Sequence, residues 1–265
     1  MMTEGASSPG DDERSKEFDA ILSRHGPEGA RRQLGEDAVE NLLARGSTPI
    51  EAEVVVGDLR MSAIVLRESV KTSLFARFII SFTEAARSLA NGSGGWFDKF
   101  TGDGFIAYWV RPEGEDPAMG AIPEFCRSIL PAADSLIANL RRNSRNFPVG
   151  VGLSLGADSG PCELVLVGGA LTLVGSPIVG ATRMVAGAEA NRTLVNVFLG
   201  EKLERDKQRL SEVGIRVERT SVSTKEYPRG QVAYELLFPR GPRGIEIDQP
   251  FRGEAAGLDS SLSTE

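Results

Sequence analysis

The chain has 265 residues, of which 41% are hydrophobic and 25% are charged, and its net charge is −7. These are ordinary values for a globular protein, the net negative charge argues against nonspecific nucleic-acid binding, and no apolar run approaches the roughly 20 residues that cross a bilayer. The single histidine and the two cysteines leave no plausible Ser-His-Asp triad and no zinc or redox motif. We therefore expect catalysis on carboxylates, lysine and arginine, with no nucleic-acid or membrane partner.

The ends of the chain differ in composition from its middle. Residues 1–14 are rich in Ser, Gly and acidic side chains and contain no signal peptide, which predicts a disordered tail and a cytoplasmic location. Residues 15–47 carry apolar side chains at helical spacing, interrupted at His25-Gly26-Pro27, and predict a small helical segment for packing or dimerisation rather than ligand sensing. Residues 239–265 are rich in Pro, Gly and Ser and predict a flexible tail, which leaves residues 50–238 as the main domain.

The first half of this domain alternates strand and helix signals. Residues 51–58 form a β-branched run that ends in a carboxylate and predicts a buried strand. Residues 62–90 have the spacing of one long helix, and residues 96–109 contain two apolar runs separated by Thr101-Gly102-Asp103-Gly104, a strong hairpin signal. Asp103 is therefore expected at the hairpin tip. A second helix is predicted over residues 118–144, bent near Pro131.

The second half completes a recognisable order of elements. We predict two strands, at residues 148–156 and 163–167, joined by a turn rich in Gly, Asp and Ser. The order β-α-β-β-α-β predicts an α+β fold with a ferredoxin-like core, in which helices lie on one face of an antiparallel sheet. The remaining patterns predict, in chain order, a helix at 179–190, a strand at 193–197, a helix at 201–210 and strands at 215–222 and 231–238.

Two aspartates mark the predicted functional site. Asp58 ends the first strand and Asp103 lies at the hairpin tip, and sequential strands usually pair or lie adjacent in a sheet. Each residue alone is more often a turn or capping residue, but together they can hold two divalent ions, Mg²⁺ or Mn²⁺, that clamp the attacking and leaving oxygens of a phosphoryl displacement. The pair predicts metal-dependent phosphoryl chemistry.

With these motifs in place, residues 50–237 resemble the catalytic domain of class III nucleotidyl cyclases. The run Val54-Val55-Val56-Gly57-Asp58-Leu59-Arg60 is similar to the first metal-binding strand of that family, and Asp98-Lys99-Phe100-Thr101-Gly102-Asp103-Gly104 is similar to its Lys-Phe-x-Gly-Asp hairpin. Further matches are Val151-Gly152-Leu153-Ser154-Leu155-Gly156 with Gly160, and Leu171-Thr172-Leu173-Val174-Gly175 before the family's catalytic helix.

The resemblance implies a function for several residues. It implies a homodimer with active sites at the interface, in which Asp58 and Asp103 of one chain bind two divalent metal ions and the other chain faces the base and phosphates. Lys99 and Thr172 would then contact the base. The remaining implied roles are transition-state stabilisation by Arg183 and a phosphate contact by Lys225. Both would otherwise be solvated surface charges.

One position departs from the family pattern. Val179 stands in Ile178-Val179-Gly180-Ala181-Thr182-Arg183 where an asparagine normally orients the ribose. Loss of one such contact lowers a rate by on the order of 100- to 1000-fold. This weakens a cyclase without abolishing it, so an active enzyme is favoured over a catalytically impaired nucleotide-binding dimerisation module.

The choice of base is open at this point. The pair of Lys99 and Thr172 matches many bacterial adenylate cyclases, whereas the motifs at residues 56–62 and 96–105 resemble the pyrimidine cyclases of the Pycsar anti-phage system. That resemblance implies conversion of UTP to cUMP, or next of CTP to cCMP, and a separate cyclic-nucleotide effector that reads the product. Trp96 or Phe105 could narrow a base pocket, but hairpin core aromatics are the more common case. A two-metal polymerase or diguanylate cyclase is disfavoured because its Gly-Gly-Asp/Glu-Glu/Asp-Phe signature is missing from the hairpin.

Overall fold

A computed structural model describes residues 9–111, 120–144 and 146–239, with side chains from residue 15 onward. The helices are α1 (Pro9–His25), α2 (Ala30–Leu34), α3 (Glu36–Arg45), α4 (Ser62–Glu68), α5 (Thr72–Gly92), α6 (Ala121–Arg142), α7 (Ser176–Gly187), α8 (Val197–Arg205) and α9 (Lys207–Glu212). The strands are β1 (Ser47–Arg60), β2 (Trp96–Phe100), β3 (Gly104–Arg111), β4 (Gly152–Val167), β5 (Ala170–Gly175), β6 (Thr193–Asn196), β7 (Arg216–Val222) and β8 (Gln231–Leu237).

The strands form one mixed sheet in the order β2-β3-β1-β4-β6-β8-β7, and β5 pairs with β4. The first four are antiparallel neighbours, and α5 and α6 supply the crossovers between β1 and β2 and between β3 and β4. This βαββαβ arrangement confirms the predicted α+β, ferredoxin-like core. β1 is central because its β-branched run, Val54-Val55-Val56, is buried and pairs on both sides.

Helices cover both faces of the sheet, so the prediction of helices on one face is wrong. On one face, α5 and α6 pack through aromatic residues such as Phe82 and Phe125 against Phe105 of β3. On the other face, α1 to α3 bury their apolar side chains against β1, β2 and β3. Trp96 of β2 donates its indole N–H to Gln33 of α2 at 2.7 Å. The helical segment therefore packs on its own sheet, and both Trp96 and Phe105 are fully buried core residues.

β4 is one continuous strand, so the predicted turn between residues 156 and 163 is wrong. Its whole length pairs with β1, from Gly152 opposite Arg60 to Val165 opposite Ser47. Gly156, one of the residues that resemble a turn, instead allows α7 to pack closely on β4. A Cβ at Gly156 would lie 2.1 Å from the Ala181 carbonyl of α7, so this glycine allows the helix to approach the strand closely. The real turn is Gly168-Gly169, where both residues have positive φ.

Two further boundaries differ from the predictions. The helix predicted over residues 62–90 is interrupted between α4 and α5, where Ser69 leaves the helix and forms a bridge with Ser144. The helix α1 begins at Pro9, within the predicted disordered tail. Residues 1–8 and 240–265, which hold most of the two predicted tails, lie outside the described residues.

No helix in the described part of the chain is both long enough and apolar enough to cross a membrane. Both cysteines, Cys126 and Cys162, are buried and unpaired, as expected for small core residues.

Candidate active site

Asp58 and Asp103 come together at one end of the sheet. Asp58 lies opposite Gly104 in the β1–β3 ladder, which places it beside the tip of the β2–β3 hairpin. The backbone N–H of Leu59 donates to the Asp103 carbonyl at 3.1 Å and fixes the tip against the end of β1. A Cβ at Gly104 would lie 2.1 Å from the Gly57 carbonyl, so only glycine permits this approach. The predicted juxtaposition of the two aspartates is therefore present.

The two carboxylates share a partly buried, charged environment. Burial raises the pKa of Asp58, and the negative charge of Asp103 raises it further, while Arg60 opposes both effects. The Arg60 guanidinium lies 3.4 Å from Asp58 Oδ2 and is itself held by Ser154 Oγ at 2.9 Å and by the Val185 carbonyl. Arg60 thus balances part of the negative charge in the chain as it stands.

Ser62 holds the second carboxylate. Its hydroxyl, on the first residue of α4, donates to Asp103 Oδ2 at the hairpin tip at 2.5 Å. Ser62 directly follows the turn between β1 and α4. This turn is formed by Met61, which has a positive φ of 66°. The left-handed conformation at a residue with a side chain is uncommon and is often found beside functional sites. Both aspartates are thus oriented by neighbours on the same turn.

The donor set fits a hard divalent ion. Carboxylate oxygens are the ligands that Mg²⁺ prefers, and Mg²⁺ takes one or two protein carboxylates together with substrate phosphates. Burial is the main cause of the raised pKa of Asp58, and the Asp103 charge adds to it; a cation between the two carboxylates would oppose both effects. Within the described residues no group of three or more His, Cys, Asp or Glu side chains could hold a metal ion.

A second pair of polar side chains lies where β2 meets β5. Lys99 Nζ donates to Thr172 Oγ1 at 2.6 Å, although the two residues are 73 positions apart in the chain. The Lys99 side chain is 49% exposed, so its ammonium group is accessible from solvent. The structure therefore brings together the two residues for which the resemblance implies a base contact.

A buried carboxylate, Asp98, supports this pair. Its side chain has no exposed surface, its Oδ2 lies 3.3 Å from Lys99 Nζ, and its Oδ1 accepts from the Leu173 backbone N–H at 3.3 Å. Burial raises the pKa of Asp98, whereas Lys99, Thr172 and the Leu173 N–H lower it. Asp98 is thus tied to both residues of the pair through β5.

The third group of predicted residues lies around α7. Arg183 projects from this helix, and its Nε is 3.7 Å from Glu226 Oε2. Lys225 is exposed in the loop between β7 and β8, beside Glu226. Val179 lies on the same helix and is 49% exposed. The structure places Lys225 in the loop that contacts Arg183, but among the described residues no hydrogen bond or ion pair joins Arg183 or Lys225 directly to Asp58, Asp103, Lys99 or Thr172. Arg60 connects the two regions, because it donates to the Val185 carbonyl of α7 and pairs with Asp58.

The sequence did not single out four residues that shape these groups, namely Arg60, Ser62, Asp98 and Glu226. Arg60, Ser62 and Asp98 lie inside motifs that were recognised, so their positions were visible but their roles were not. Asp98 follows Phe97 at a β-bulge, a feature that depends on strand pairing and has no clear sequence signal. Glu226 comes close to Arg183 only because its loop folds against α7.

Searches of protein-family models and of curated protein sequences find no match to this chain. Solved structures do match. The adenylyl cyclase CyaB from P. aeruginosa is 18% identical with a TM-score of 0.60, covering 75% of this chain and 99% of that one. The guanylyl cyclase Cya2 is 14% identical with a TM-score of 0.59, covering 77% of this chain and 98% of that one.

A third match is the guanylate cyclase domain of RhGC from Catenaria anguillulae in complex with GTP, 14% identical, with a TM-score of 0.55 and coverage of 73% of this chain and 100% of that one. The chain has the class III nucleotidyl cyclase fold. At these identities the likeness establishes the fold, and the chemistry depends on the residues described above.

Proposed function

We propose that this chain is a homodimeric, divalent-metal-dependent nucleotidyl cyclase that converts a nucleoside triphosphate to a 3′,5′-cyclic nucleotide and pyrophosphate. The observation that carries the proposal is the convergence of Asp58 and Asp103 at the end of β1, on a fold shared with adenylyl and guanylyl cyclases. A lone acidic pair on an unrelated fold would not support it. Here the pair, the hairpin and the fold agree.

Each group of residues has a proposed task. Asp58 and Asp103, oriented by Arg60 and Ser62, form a site for two Mg²⁺ or Mn²⁺ ions. When bound, such ions supply positive charge to the phosphate oxygens. In the reaction, the ribose 3′-oxygen bonds to the α-phosphorus, the bond to pyrophosphate breaks, and the hydroxyl proton is released. Catalysis of this kind depends mainly on positioning and charge stabilisation.

The separation of the groups supports the proposed dimer. In one protomer, these residues form three clusters that no hydrogen bond or ion pair joins directly among the described residues. The clusters are Asp58 with Asp103, Lys99 with Thr172, and Arg183 with Glu226. A two-fold dimer places the same surfaces of two chains opposite each other. We propose that Asp58 and Asp103 of one protomer face Lys99, Thr172, Arg183 and Lys225 of its partner.

Exposed apolar side chains on the same elements support such an interface. Val174 on β5 is 55% exposed and Val179 on α7 is 49% exposed, so both flank the proposed substrate residues of one chain. In a dimer, Val179 would face the ribose without the polar contact that an asparagine supplies. We propose that this slows the cyclase and leaves it active.

For the substrate, we propose a pyrimidine triphosphate, UTP first and CTP next, with the product acting in anti-phage defence through a separate cyclic-nucleotide effector. The motifs at residues 56–62 and 96–105 support this choice. ATP is the second candidate because the pair of Lys99 and Thr172, in contact at 2.6 Å, matches many adenylate cyclases. The neighbours include both adenylyl and guanylyl cyclases and leave the base open.

One experiment tests the reaction and the base together. Purified protein is incubated separately with ATP, GTP, CTP and UTP in the presence of Mn²⁺, and products are identified by mass spectrometry. We expect a cyclic mononucleotide and pyrophosphate, with the highest yield from UTP. Saturable nucleotide binding without any cyclic product would instead indicate the catalytically impaired binding module.

A further inference from the structure

The bulge in β2 brings two neighbouring side chains to the same place. In a regular strand, successive side chains point to opposite faces of the sheet. Here Phe97 pairs with Ala107 and Lys99 pairs with Ile106, so Asp98 is the extra residue of a β-bulge. Bulges re-aim side chains and are common beside active sites. As a result, Asp98 and Lys99, adjacent in sequence, both reach β5: Asp98 accepts from the Leu173 N–H and Lys99 donates to the Thr172 hydroxyl.

The hydrogen bonds around Asp98 are almost fully assigned. Oδ1 accepts from the Leu173 N–H, and Oδ2 has an ion pair with Lys99 Nζ at 3.3 Å but no aligned hydrogen bond from the described residues. The Thr172 hydroxyl interacts with this carboxylate, and its hydrogen can rotate. A buried carboxylate without a full set of donors is unfavourable, so the hydroxyl hydrogen is drawn toward Asp98.

This assignment fixes the polarity of Thr172. Its Oγ1 accepts from Lys99 Nζ, and with its only hydrogen turned toward the buried Asp98 carboxylate it offers a ligand a lone pair and no donor. Lys99 offers only donors. The pair therefore presents a donor beside an acceptor, and it matches a base edge with one acceptor next to one donor. In the amino bases A and C, the exocyclic nitrogen is the donor and the ring nitrogen is the acceptor. In the keto bases G and U, the exocyclic oxygen is the acceptor and the ring N–H is the donor.

We propose that Asp98 is a specificity-positioning residue, which holds Thr172 as a hydrogen-bond acceptor beside Lys99 and so sets the discrimination between amino and keto bases. This inference rests on the proposed function, because it assigns the base-binding end of the same site. Asp98 itself does not touch the nucleotide, since its side chain has no exposed surface. It acts through Thr172 and Lys99.

The test compares bases of equal ring size. 3′-Deoxynucleoside triphosphates lack the attacking hydroxyl, so their affinities, measured by calorimetry with Mn²⁺, report base recognition without turnover. Two affinity ratios are compared: that of the CTP analogue to the UTP analogue, and that of the ATP analogue to the GTP analogue. In Asp98→Asn, which keeps the size of the side chain and removes its charge, the Thr172 hydroxyl can turn toward the base. We expect the larger ratio to move toward one by about 10- to 100-fold, the range for a hydrogen bond to a charged group.

Two further variants complete the design. Asp98→Ser keeps an acceptor for the Leu173 N–H and repeats the test if the first variant does not fold. Glu53→Gln is the matched control, because Glu53 is also a buried carboxylate, 4% exposed and paired with Arg111 at 3.4 Å, five residues before Asp58 on β1. We expect Glu53→Gln to keep the wild-type ratios even if it changes thermal stability.

The outcomes separate this inference from the proposed function. If wild-type protein forms no cyclic nucleotide but binds the analogues with a base preference that Asp98→Asn removes, the inference holds and the proposed function fails. If cyclic products form and the folded Asp98 variants keep the wild-type ratios to within about threefold, the inference is overturned and the function stands. Wild-type protein that binds all four analogues equally, or none, also overturns the inference.

Discussion

Gly180 offers a test of how closely α7 is seated on the sheet. This glycine lies within α7, where alanine would normally be favoured by about 1 kcal/mol. A Cβ at this position would lie 1.8 Å from Oδ2 of Asp158 on β4. Asp158 is 5% exposed and accepts from the Ser159 N–H and from Asn196 Nδ2, each at 2.8 Å. The substitution Gly180→Ala therefore sets helix propensity against a steric clash.

The magnitudes decide the sign of the effect. If α7 moves away, overpacking costs about 1–3 kcal/mol, and if the carboxylate moves, each lost hydrogen bond to a charged group costs about 1.5–3 kcal/mol. Because 1.8 Å is far shorter than a normal van der Waals contact, we expect a cost in the upper part of the overpacking range. After subtraction of the propensity gain, Gly180→Ala should lower the free energy of unfolding by about 1–2 kcal/mol.

Urea denaturation measures this change. Gly92→Ala is the matched control, because it lies at the end of α5 with no atom within 4 Å of an added Cβ, and it should be neutral or slightly stabilising. In an Asp158→Ala background, Gly180→Ala should no longer destabilise, since its clash partner is gone. Wild-type stability in Gly180→Ala, or an equal loss in both backgrounds, would refute this explanation of why α7 carries a glycine here.

Four further substitutions test the proposed site and the electrostatics of the fold. Asp58→Ala and Asp103→Ala should each lower cyclisation by on the order of 1000-fold in the mass-spectrometric assay while keeping the native circular dichroism spectrum, and near-normal turnover in either would place the metals elsewhere. Val179→Asn, at a half-exposed position, should raise kcat by up to about 100-fold, and an unchanged kcat would show that this position does not face the ribose. Burial raises the pKa of Glu53 above 4.5, so the folded state favours the protonated form, and this contribution to stability is present below pH 4.5 and lost as the pH rises through the folded pKa. The stability of Glu53→Gln relative to wild type should therefore increase between pH 4.5 and pH 7, and a constant difference would argue against a raised pKa.

The features predicted well from sequence are those set by local chemistry. The hairpin of β2 and β3 was predicted because an Asp-Gly turn between apolar runs specifies its own geometry. Asp58 was found because a β-branched run locates the end of a buried strand. Once both elements were placed, their adjacency followed from the order of the strands, and so did the acidic pair.

The features that were missed depend on contacts between distant parts of the chain. Gly156 and Gly160 resemble turn residues, but β1 pairs with β4 along its whole length, and a Cβ at Gly156 would meet the Ala181 carbonyl of α7. The bulge at Asp98 depends on the register between β2 and β3, which neither strand specifies alone. The helices α1 to α3 cover a sheet face that the β-α-β-β-α-β pattern leaves unassigned.

Complementation between two inactive variants tests the central claim most directly. Asp103→Ala lacks one acidic residue of the proposed metal site, and Arg183→Ala lacks the proposed transition-state arginine, so each homodimer should be inactive. If one protomer supplies Asp103 and its partner supplies Arg183, a mixture allowed to exchange subunits should contain heterodimers with one intact site. We predict recovery of roughly a quarter of wild-type cyclic-nucleotide formation, as expected for random two-fold pairing. A mixture that forms heterodimers but yields no cyclic product, beside an active wild-type control, would contradict an active site shared between two protomers.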